Sequence, residues 1–93
     1  MDSEKPIRID INGVLDLHPF SPQDLSTLID EYIDACLEKQ IYELRIIHGK
    51  GIGNIRRSVH SLLKRNSHVI NFQLADASGG SWGATVVNLK SDR

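Results

Sequence analysis

A histidine, a lysine and three glycines stand together at residues 48–53. Histidine gains and loses a proton near neutral pH, whereas lysine carries a positive charge there. Glycine tolerates positive φ and exposes its backbone N–H, so a glycine-rich turn can form a concave site for an anion. The stretch predicts a phosphate-binding corner with His48 on its rim, and the alternative is a tight connection whose glycines serve only the backbone. The predicted phosphate contacts in this corner are Gly49, Lys50, Gly51 and Gly53.

A second pair of residues that can exchange protons, Asp16 and His18, occurs about thirty residues earlier. Both fall on one side of a strand, since successive side chains point to opposite faces. Cleaving a phosphodiester bond requires a base for the nucleophile, a proton for the leaving oxygen and positive charge beside the phosphorus. We predict that His18 and His48 divide the proton transfers and that Asp16 orients an imidazole. For each histidine the alternative is a strand-end side chain hydrogen-bonded to the neighbouring loop.

The sequence predicts no resident metal site. A two-metal centre usually requires several clustered carboxylates, and only Asp16 and Asp76 fall near the predicted loops. The single cysteine, Cys36, lies on an apolar helix face, and the histidine spacings form no zinc-binding pattern. One divalent cation, Mg²⁺ or Mn²⁺ held by Asp16, is left open.

The elements that position these residues follow from hydrophobic periodicity. Alternating apolar side chains predict a strand at 14–17, followed by a helix that opens at Ser21–Pro22. Ser21 is the predicted N-cap, and Asp24 completes a capping-box spacing. Asn12-Gly13 predicts either a β-hairpin or an extended arm before the first strand. The later elements are a strand at 42–47, a helix at 54–65, and strands at 68–74 and 84–89.

Apolar residues at helical spacing predict which faces form the core. The first helix presents one such stripe, made of Leu25, Leu28, Ile29, Tyr32, Ile33 and Cys36. The second helix presents another, made of Ile55, Val59, Leu62 and Leu63. The rest of its surface is expected to carry Arg56, Arg57, His60 and Lys64. On the third strand we expect Phe72 and Leu74 to point inward.

These elements predict one topology. Strand–helix–strand connections are right-handed and parallel in nearly all cases, so the first three strands should run parallel and the last antiparallel. The predicted fold is an α/β two-layer sandwich of order (β)βαβαββ, a mixed four-stranded sheet with both helices on one face. Residues 1–13 form an arm or hairpin strand, 14–90 the domain and 91–93 a frayed tail. Because ligands gather beyond the carboxyl ends of strands in such sheets, residues 16–18 and 48–51 should converge.

Charge is unevenly distributed, although the formal net charge is only −1. No acidic residue lies between Glu43 and Asp76, whereas six lysines and arginines do. Such a surface attracts polyanions, and the alternative is a solvated basic helix face. Trp82, in a glycine-rich loop, is predicted to stack on an unpaired base or else to pack over the sheet edge. The predicted backbone-phosphate contacts on the second helix are Arg56, Arg57 and Lys64.

Composition points away from membranes and secretion. No apolar stretch approaches the ~18 residues of a membrane span, and the first six residues are polar. A lone cysteine cannot form an internal disulfide, which fits a reducing compartment. We therefore expect a cytoplasmic protein that does not insert into membranes.

Three short motifs, taken in order, resemble those of the Smr (small MutS-related) domain family. They are Leu15–His18, His48–Gly51 and Gly80–Thr85, and the resemblance spans roughly residues 14 to 90. It implies a mixed α/β sandwich similar to the C-terminal domain of translation initiation factor three. It also implies binding of DNA or RNA and, as in several members, an endonuclease that nicks DNA or cuts RNA. The chain departs from many members at Pro19, where a glycine N–H is replaced by a residue that cannot donate.

The leading prediction is therefore a nucleic-acid-binding domain with endonuclease activity, in which Asp16, His18 and His48 are catalytic. The alternative is a non-catalytic module that docks on structured RNA or a ribosome-associated partner. A third candidate is a small phosphorylated ligand bound in the glycine corner. Nothing in the sequence chooses between DNA and RNA, because no residue is identified as a reader of the ribose hydroxyl.

Overall fold

A computed structural model describes residues 9–49, 54–75 and 83–91. A 3₁₀ turn precedes the first helix and two helices alternate with four strands, so the predicted order of elements is confirmed. The turn covers Pro22–Asp24, and the helices are α1 (Leu25–Glu38) and α2 (Asn54–Arg65). The strands are β1 (Val14–Asp16), β2 (Glu43–Ile47), β3 (Val69–Leu74) and β4 (Ala84–Leu89).

The strands form one mixed sheet in the order β1-β2-β4-β3. β1 pairs with β2 in parallel, β4 is antiparallel to β2, and β3 is antiparallel to β4. The first three strands therefore share one direction and the last is reversed, as predicted. The insertion of β4 between β2 and β3 brings its first residues beside the carboxyl end of β2, where Ala84 faces Ile47.

Both helices pack on one face of the sheet around a single core. Ile29, Ile33 and Cys36 of α1 are fully buried, as are Ile46 and Val87 of the sheet. Alternation along the strands explains the inward set, because every second side chain faces the helices. Across the described residues, neither helix is long and apolar enough to span a membrane.

The start of the first helix differs from the sequence prediction. Ser21 and Asp24 make no side-chain cap, so the predicted capping box is wrong. Pro22 instead opens a single 3₁₀ turn, in which the Asp24 N–H donates to the Ser21 carbonyl at 3.0 Å. Backbone hydrogen bonding of the tighter turn replaces the side-chain cap.

The third strand also differs in which side chains face inward. Phe72 packs against the core as predicted, but Leu74 is exposed, and so is Ile70. The pairing of β3 with β4 shifts register between Val69 and Asn71. Such an irregularity interrupts strict alternation at Ile70, which the sequence pattern does not show. Leu74 lies beyond the irregularity in regular pairing with Thr85, and its exposure reflects its place at the end of β3, an edge strand of the described sheet.

An extended segment, residues 9–13, leads into β1 without forming a strand. Gly13 has φ 93°, a conformation that glycine adopts easily, and its N–H donates to the Tyr32 hydroxyl at 3.1 Å. The same hydroxyl donates to the Val14 carbonyl at 3.1 Å, so α1 fixes the start of β1. The alternating run 7–11, the hairpin strand that the sequence allowed, forms no strand at residues 9–11, and residues 7 and 8 lie outside the described part of the chain.

Candidate active site

Parallel pairing of β1 and β2 places two sequence-distant segments side by side. Asp16 is level with Ile47, and the Leu17 N–H donates to the Ile47 carbonyl at 3.0 Å. His48 directly follows the end of β2, and His18 follows the end of β1 after Leu17, so the register continues with Leu17 level with His48 and His18 level with Gly49. The predicted convergence is confirmed for residues 16–18 with 48–49, and residues 50 and 51 lie outside the described residues.

Asp16 and His18 form a pair on the surface. The His18 Nδ1 lies 2.6 Å from Asp16 Oδ1, and the His18 backbone N–H donates to the same oxygen at 3.0 Å. The side chains are 65% and 54% exposed for His18 and Asp16. The backbone hydrogen bond from His18, followed by its ring, holds the pKa of Asp16 below the ordinary value. Because an ionised carboxylate only accepts, the pair favours a proton on Nδ1 and a lone pair on Nε2.

The Nε2 atom of His18 faces the glycine turn. Gly49 has φ 89°, and a Cβ built on it would lie 3.4 Å from His18 Nε2. Glycine at this position serves the backbone conformation, which is unfavourable to other residues. A methyl group here would lie in van der Waals contact with the nitrogen that Asp16 leaves available.

His48 differs sharply from His18 because both of its ring nitrogens have partners inside the protein. The residue is only 8% exposed. Its Nδ1 lies 3.0 Å from the Gly49 carbonyl, and its Nε2 lies 2.8 Å from the Thr85 hydroxyl. These contacts favour the alternative that the sequence left open, a strand-end histidine hydrogen-bonded to the adjoining loop. Its proposed proton-transfer role stays a prediction.

The two histidines line one cavity. It has a volume of about 180 Å³, and its apolar wall includes Leu17, Leu25 and Ile55. Apolar walls lower the local dielectric constant and strengthen electrostatic interactions inside a site. A phosphate beside this cavity would lie between an exposed acid–base pair and the glycine turn.

Part of the predicted anion-binding turn is occupied by the protein itself. The backbone N–H groups of His48 and Gly49 both donate to the Gly83 carbonyl, each at 2.8 Å. The Gly49 N–H is thus bonded to the residue just before β4, whereas the sequence predicted that this N–H is available to bind phosphate. The remaining predicted contacts Lys50, Gly51, Gly53 and Trp82 lie outside the described residues.

Two cationic rows run along α2, each with a spacing of four residues. Arg56, His60 and Lys64 form one row. Burial lowers the pKa of the half-buried His60, and His48, Arg56 and Lys64 lower it further. The sequence assigned His60 to the surface, whereas the structure packs its ring against Phe72 at a centroid distance of 4.8 Å. The second row is Arg57, Ser61 and Arg65.

The second row of α2 lines a groove between α2 and α1. The groove has a volume of about 420 Å³, and its lining includes Arg57, Ser61 and Arg65. Pro22 and Leu25 line both this groove and the cavity that contains the two histidines. A chain bound in the cavity can therefore continue into a groove that carries two guanidinium groups.

No group of three His, Cys, Asp or Glu side chains that could hold a metal ion occurs within residues 9–49, 54–75 and 83–91. Both contacts of the Asp16 carboxylate with His18 use Oδ1. If a divalent cation took part, Asp16 would be the residue that holds it, and the cation would supply positive charge to a bound phosphate.

Comparison with known proteins agrees with these strand-end motifs. The Smr domain family model matches residues 15–90. Endonuclease MutS2 of Lactobacillus gasseri is 43% identical over 76 residues, covering 82% of this chain and 10% of that protein. Endonuclease MutS2 of Lactobacillus acidophilus is 40% identical over 83 residues, covering 89% of this chain and 11% of that protein. This chain belongs to the Smr domain family.

Two solved Smr-related structures share the fold. The Smr domain of Thermus thermophilus MutS2 superposes with a TM-score of 0.78 at 28% identity, covering 85% of this chain and 99% of that one. YdaL, a stand-alone small MutS-related protein from Escherichia coli, gives a TM-score of 0.75 at 27% identity, covering 85% of this chain and 65% of that one. The chain spans about a tenth of the length of the MutS2 relatives it matches.

The sequence did not predict three of the residues beside this site. Thr85 and His60 contact each other and His48, and Arg65 lines the groove. A polar residue at an inward position of β4 was a usable signal for Thr85, because residues 87 and 89 on that face are apolar. The spacing of eight residues from Arg57 to Arg65 was the corresponding signal for the groove.

Proposed function

We propose that this Smr domain binds nucleic acid and cleaves its phosphodiester bonds. The observation that supports cleavage most is the exposed Asp16–His18 pair, whose Nε2 lies beside Gly49 with no hydrogen-bond partner among the described residues. The matched MutS2 relatives are named endonucleases, which agrees with this chemistry. The pair is built as an acid–base catalyst requires, with one nitrogen held by a carboxylate and the other directed to the site.

In this scheme His18 is the base for the nucleophile, and its Nε2 takes a proton from the attacking water as the water oxygen bonds to phosphorus. The resulting imidazolium is stabilised by Asp16, a carboxylate ionised at neutral pH whose pKa is lowered further by its hydrogen bonds from His18. The second phosphorus–oxygen bond breaks on the opposite side of the phosphorus, where the leaving oxygen takes a proton from solvent, and the imidazolium returns its proton to solvent. Negative charge on the phosphoryl oxygens is neutralised by Lys50, which follows Gly49 in the sequence.

His48 has a different part in this proposal. Both of its ring nitrogens contact the protein and it is buried, so we assign it to the wall of the cavity. Its removal is expected to disturb the turn that faces His18. The predicted catalytic set thus becomes Asp16 and His18 at the reacting phosphate, with His48 behind them.

The groove between α1 and α2 provides a path for the bound strand. Arg57 and Arg65 lie eight residues apart, which is about 12 Å along a helix. Guanidinium groups bind phosphates through paired N–H donors and carry no sequence information by themselves. We therefore propose that the two arginines hold backbone phosphates on one side of the scissile bond. Arg56 and Lys64 stay predicted contacts on the neighbouring row.

Binding through the groove can be tested with two charge-matched double variants. Arg57→Ala with Arg65→Ala should weaken binding more than Arg56→Ala with Lys64→Ala, although each pair removes two positive charges. If two phosphate contacts are lost, the magnitude of the slope of log K against log salt should fall by about 1.4 for a single strand to about 1.8 for duplex DNA. Titration of labelled oligonucleotides at several salt concentrations measures both effects. Equal losses in the two double variants would contradict the proposed path.

Cleavage can be tested by incubating the purified protein with labelled single- and double-stranded DNA and RNA. Each substrate is tested with Mg²⁺, with Mn²⁺ and with a chelator, which also decides the role of a divalent cation. We expect cleavage of at least one substrate and its loss in His18→Ala. His68→Ala is the matched control, because His68 is an exposed histidine 4.0 Å from Asp34 and far along the chain from both motifs. Cleavage that persists in His18→Ala would remove the catalytic assignment.

A non-catalytic RNA- or ribosome-associated module is the second candidate. The arginine-lined groove favours it, since binding there requires neither Asp16 nor His18. Salt-sensitive binding without cleavage of any substrate would select this candidate. A cytoplasmic location fits both candidates and stays a prediction from the sequence.

A further inference from the structure

A chain of three buried or half-buried side chains lies behind the glycine turn. The Thr85 hydroxyl, on β4, lies 2.8 Å from His48 Nε2 and 2.8 Å from His60 Nε2. Thr85 is fully buried, and the two rings are 6.2 Å apart at an angle of 79°. One hydroxyl therefore bridges β2 and α2 at the position where β2 enters the turn.

The position of each shared proton among these three side chains follows from one carbonyl group. The Gly49 oxygen can only accept, so His48 must donate from Nδ1 at 3.0 Å. In a neutral imidazole the other nitrogen is then an acceptor, so the Thr85 O–H donates to His48 Nε2. The hydroxyl has a single hydrogen, and its contact with His60 must therefore be an N–H donated from His60 Nε2.

The neutral state of this chain is consistent with its surroundings. Burial lowers the pKa of His60, and His48, Arg56 and Lys64 lower it further. The phenyl ring of Phe72 covers the other side of His60 at a centroid distance of 4.8 Å. A second proton on His48 would give the Thr85 oxygen two N–H donors and leave its own hydrogen in need of another acceptor.

Gly49 is consequently held from both sides. Its N–H donates to the Gly83 carbonyl at 2.8 Å, and its C=O accepts from His48 at 3.0 Å. The same residue presents its Cα to His18 Nε2. Small displacements of a reacting group can cost a large factor in rate, so the position of this peptide matters for a proton transfer at His18.

We infer that the chain His60–Thr85–His48 is a positioning device that fixes Gly49 relative to His18 Nε2. The effect of these residues on cleavage rests on the proposed function. The proton order, meaning which atom donates in each of the three hydrogen bonds, does not. The three residues act through Gly49 and His18 and do not touch the reacting phosphate. A purely structural role would need the volume of Thr85 but not its hydroxyl.

The proton order can be measured by nuclear magnetic resonance of ¹⁵N-labelled imidazoles at neutral pH. We expect the Nδ1–H tautomer for His48 and the Nε2–H tautomer for His60. In Thr85→Val, which keeps the shape and removes the hydroxyl, His48 should keep its Nδ1–H tautomer because the Gly49 carbonyl still accepts, whereas His60 loses its acceptor and should become a mixture of tautomers. An Nε2–H tautomer of His48 in the unchanged protein would overturn the inference.

The positioning effect can be measured by kinetics on a substrate that the protein cleaves. Thr85→Val should lower kcat about 10- to 100-fold with KM nearly unchanged, while Thr85→Ser, which keeps the hydroxyl, should restore most of it. Thermal unfolding of both variants checks that they fold. Wild-type kcat in Thr85→Val, or equal losses in Thr85→Ser and Thr85→Val, would overturn the inference. If the unchanged protein cleaves nothing, the proposed function fails, and the tautomers still decide the proton order.

Discussion

Two histidines at the carboxyl ends of neighbouring parallel strands have opposite environments. His18 is 65% exposed and is held through one nitrogen by Asp16, so its other nitrogen is available. His48 is 8% exposed and is held through both nitrogens by Gly49 and Thr85. The same residue type, at equivalent strand ends, therefore has an acid–base geometry in one case and a structural one in the other.

The difference comes from which side of the sheet each histidine follows. Asp16 and His18 alternate with two buried leucines on and just after the edge strand β1, so both of their side chains are exposed. His48 continues the inward-facing alternation of β2, and it lies beside the Gly83 carbonyl, just before β4, and the Thr85 hydroxyl of β4. The outward position leaves an imidazole nitrogen accessible, and the inward position surrounds the ring with protein.

The largest effect that tests this comparison is expected from His18→Ala. Loss of an acid–base group typically costs 10²- to 10⁴-fold in rate, so we expect cleavage to fall by about that factor. Because His18 is exposed, the midpoint of thermal unfolding should stay nearly unchanged. Single-turnover cleavage and thermal unfolding on the same preparation measure both. A large fall in stability would contradict the contrast with His48.

Asp16→Asn should have a smaller effect on cleavage than His18→Ala. An amide cannot stabilise an imidazolium as a carboxylate does, and loss of an orienting partner typically costs about 10- to 100-fold. The comparison is sharpened by Asp34→Asn, which changes the carboxylate beside His68 and should leave cleavage unchanged. A wild-type rate in Asp16→Asn would show that the pair does not act as a unit.

His48→Ala should affect stability where His18→Ala does not. Removing the ring leaves the buried Thr85 hydroxyl and the Gly49 carbonyl without this partner, which costs about 1 to 3 kcal/mol. In a domain of this size each kcal/mol lowers the unfolding midpoint by roughly 4 to 8 °C. Chemical denaturation gives the free energy of unfolding directly. An unchanged value would show that the contacts of His48 contribute no net stability.

The smallest expected effect is the pH dependence of stability that His60 contributes. Its pKa is lowered in the folded protein, so the unfolded chain binds a proton at higher pH than the folded one. Stability from this source is present above the ordinary histidine value of about 6.5 and decreases as the pH falls below it. His60→Gln, which keeps an N–H donor toward Thr85, should flatten the decrease. Unfolding midpoints measured from neutral pH to about pH 5 provide the comparison, and identical curves would contradict it.

The sequence by itself determined the elements and the neighbourhood of the site. The bounds of α2 and β4 agree with the predicted ones, and the strand directions follow from the order of strands and helices. The proximity of Asp16 and His18 also followed from the sequence, because they are two residues apart at the end of one predicted strand. Such features depend on periodicity and short connections, which are properties of neighbouring residues.

Only the tertiary structure decided what surrounds each of these residues. Thr85 is 37 positions from His48 along the chain and 25 from His60, so no local pattern predicts that one hydroxyl contacts both. The exposure of Leu74 and the partner of the Gly49 N–H likewise depend on how β4 pairs with its neighbours. Burial and hydrogen-bond partners arise when distant segments pack, and they distinguish His18 as the candidate acid–base group from His48 as its support.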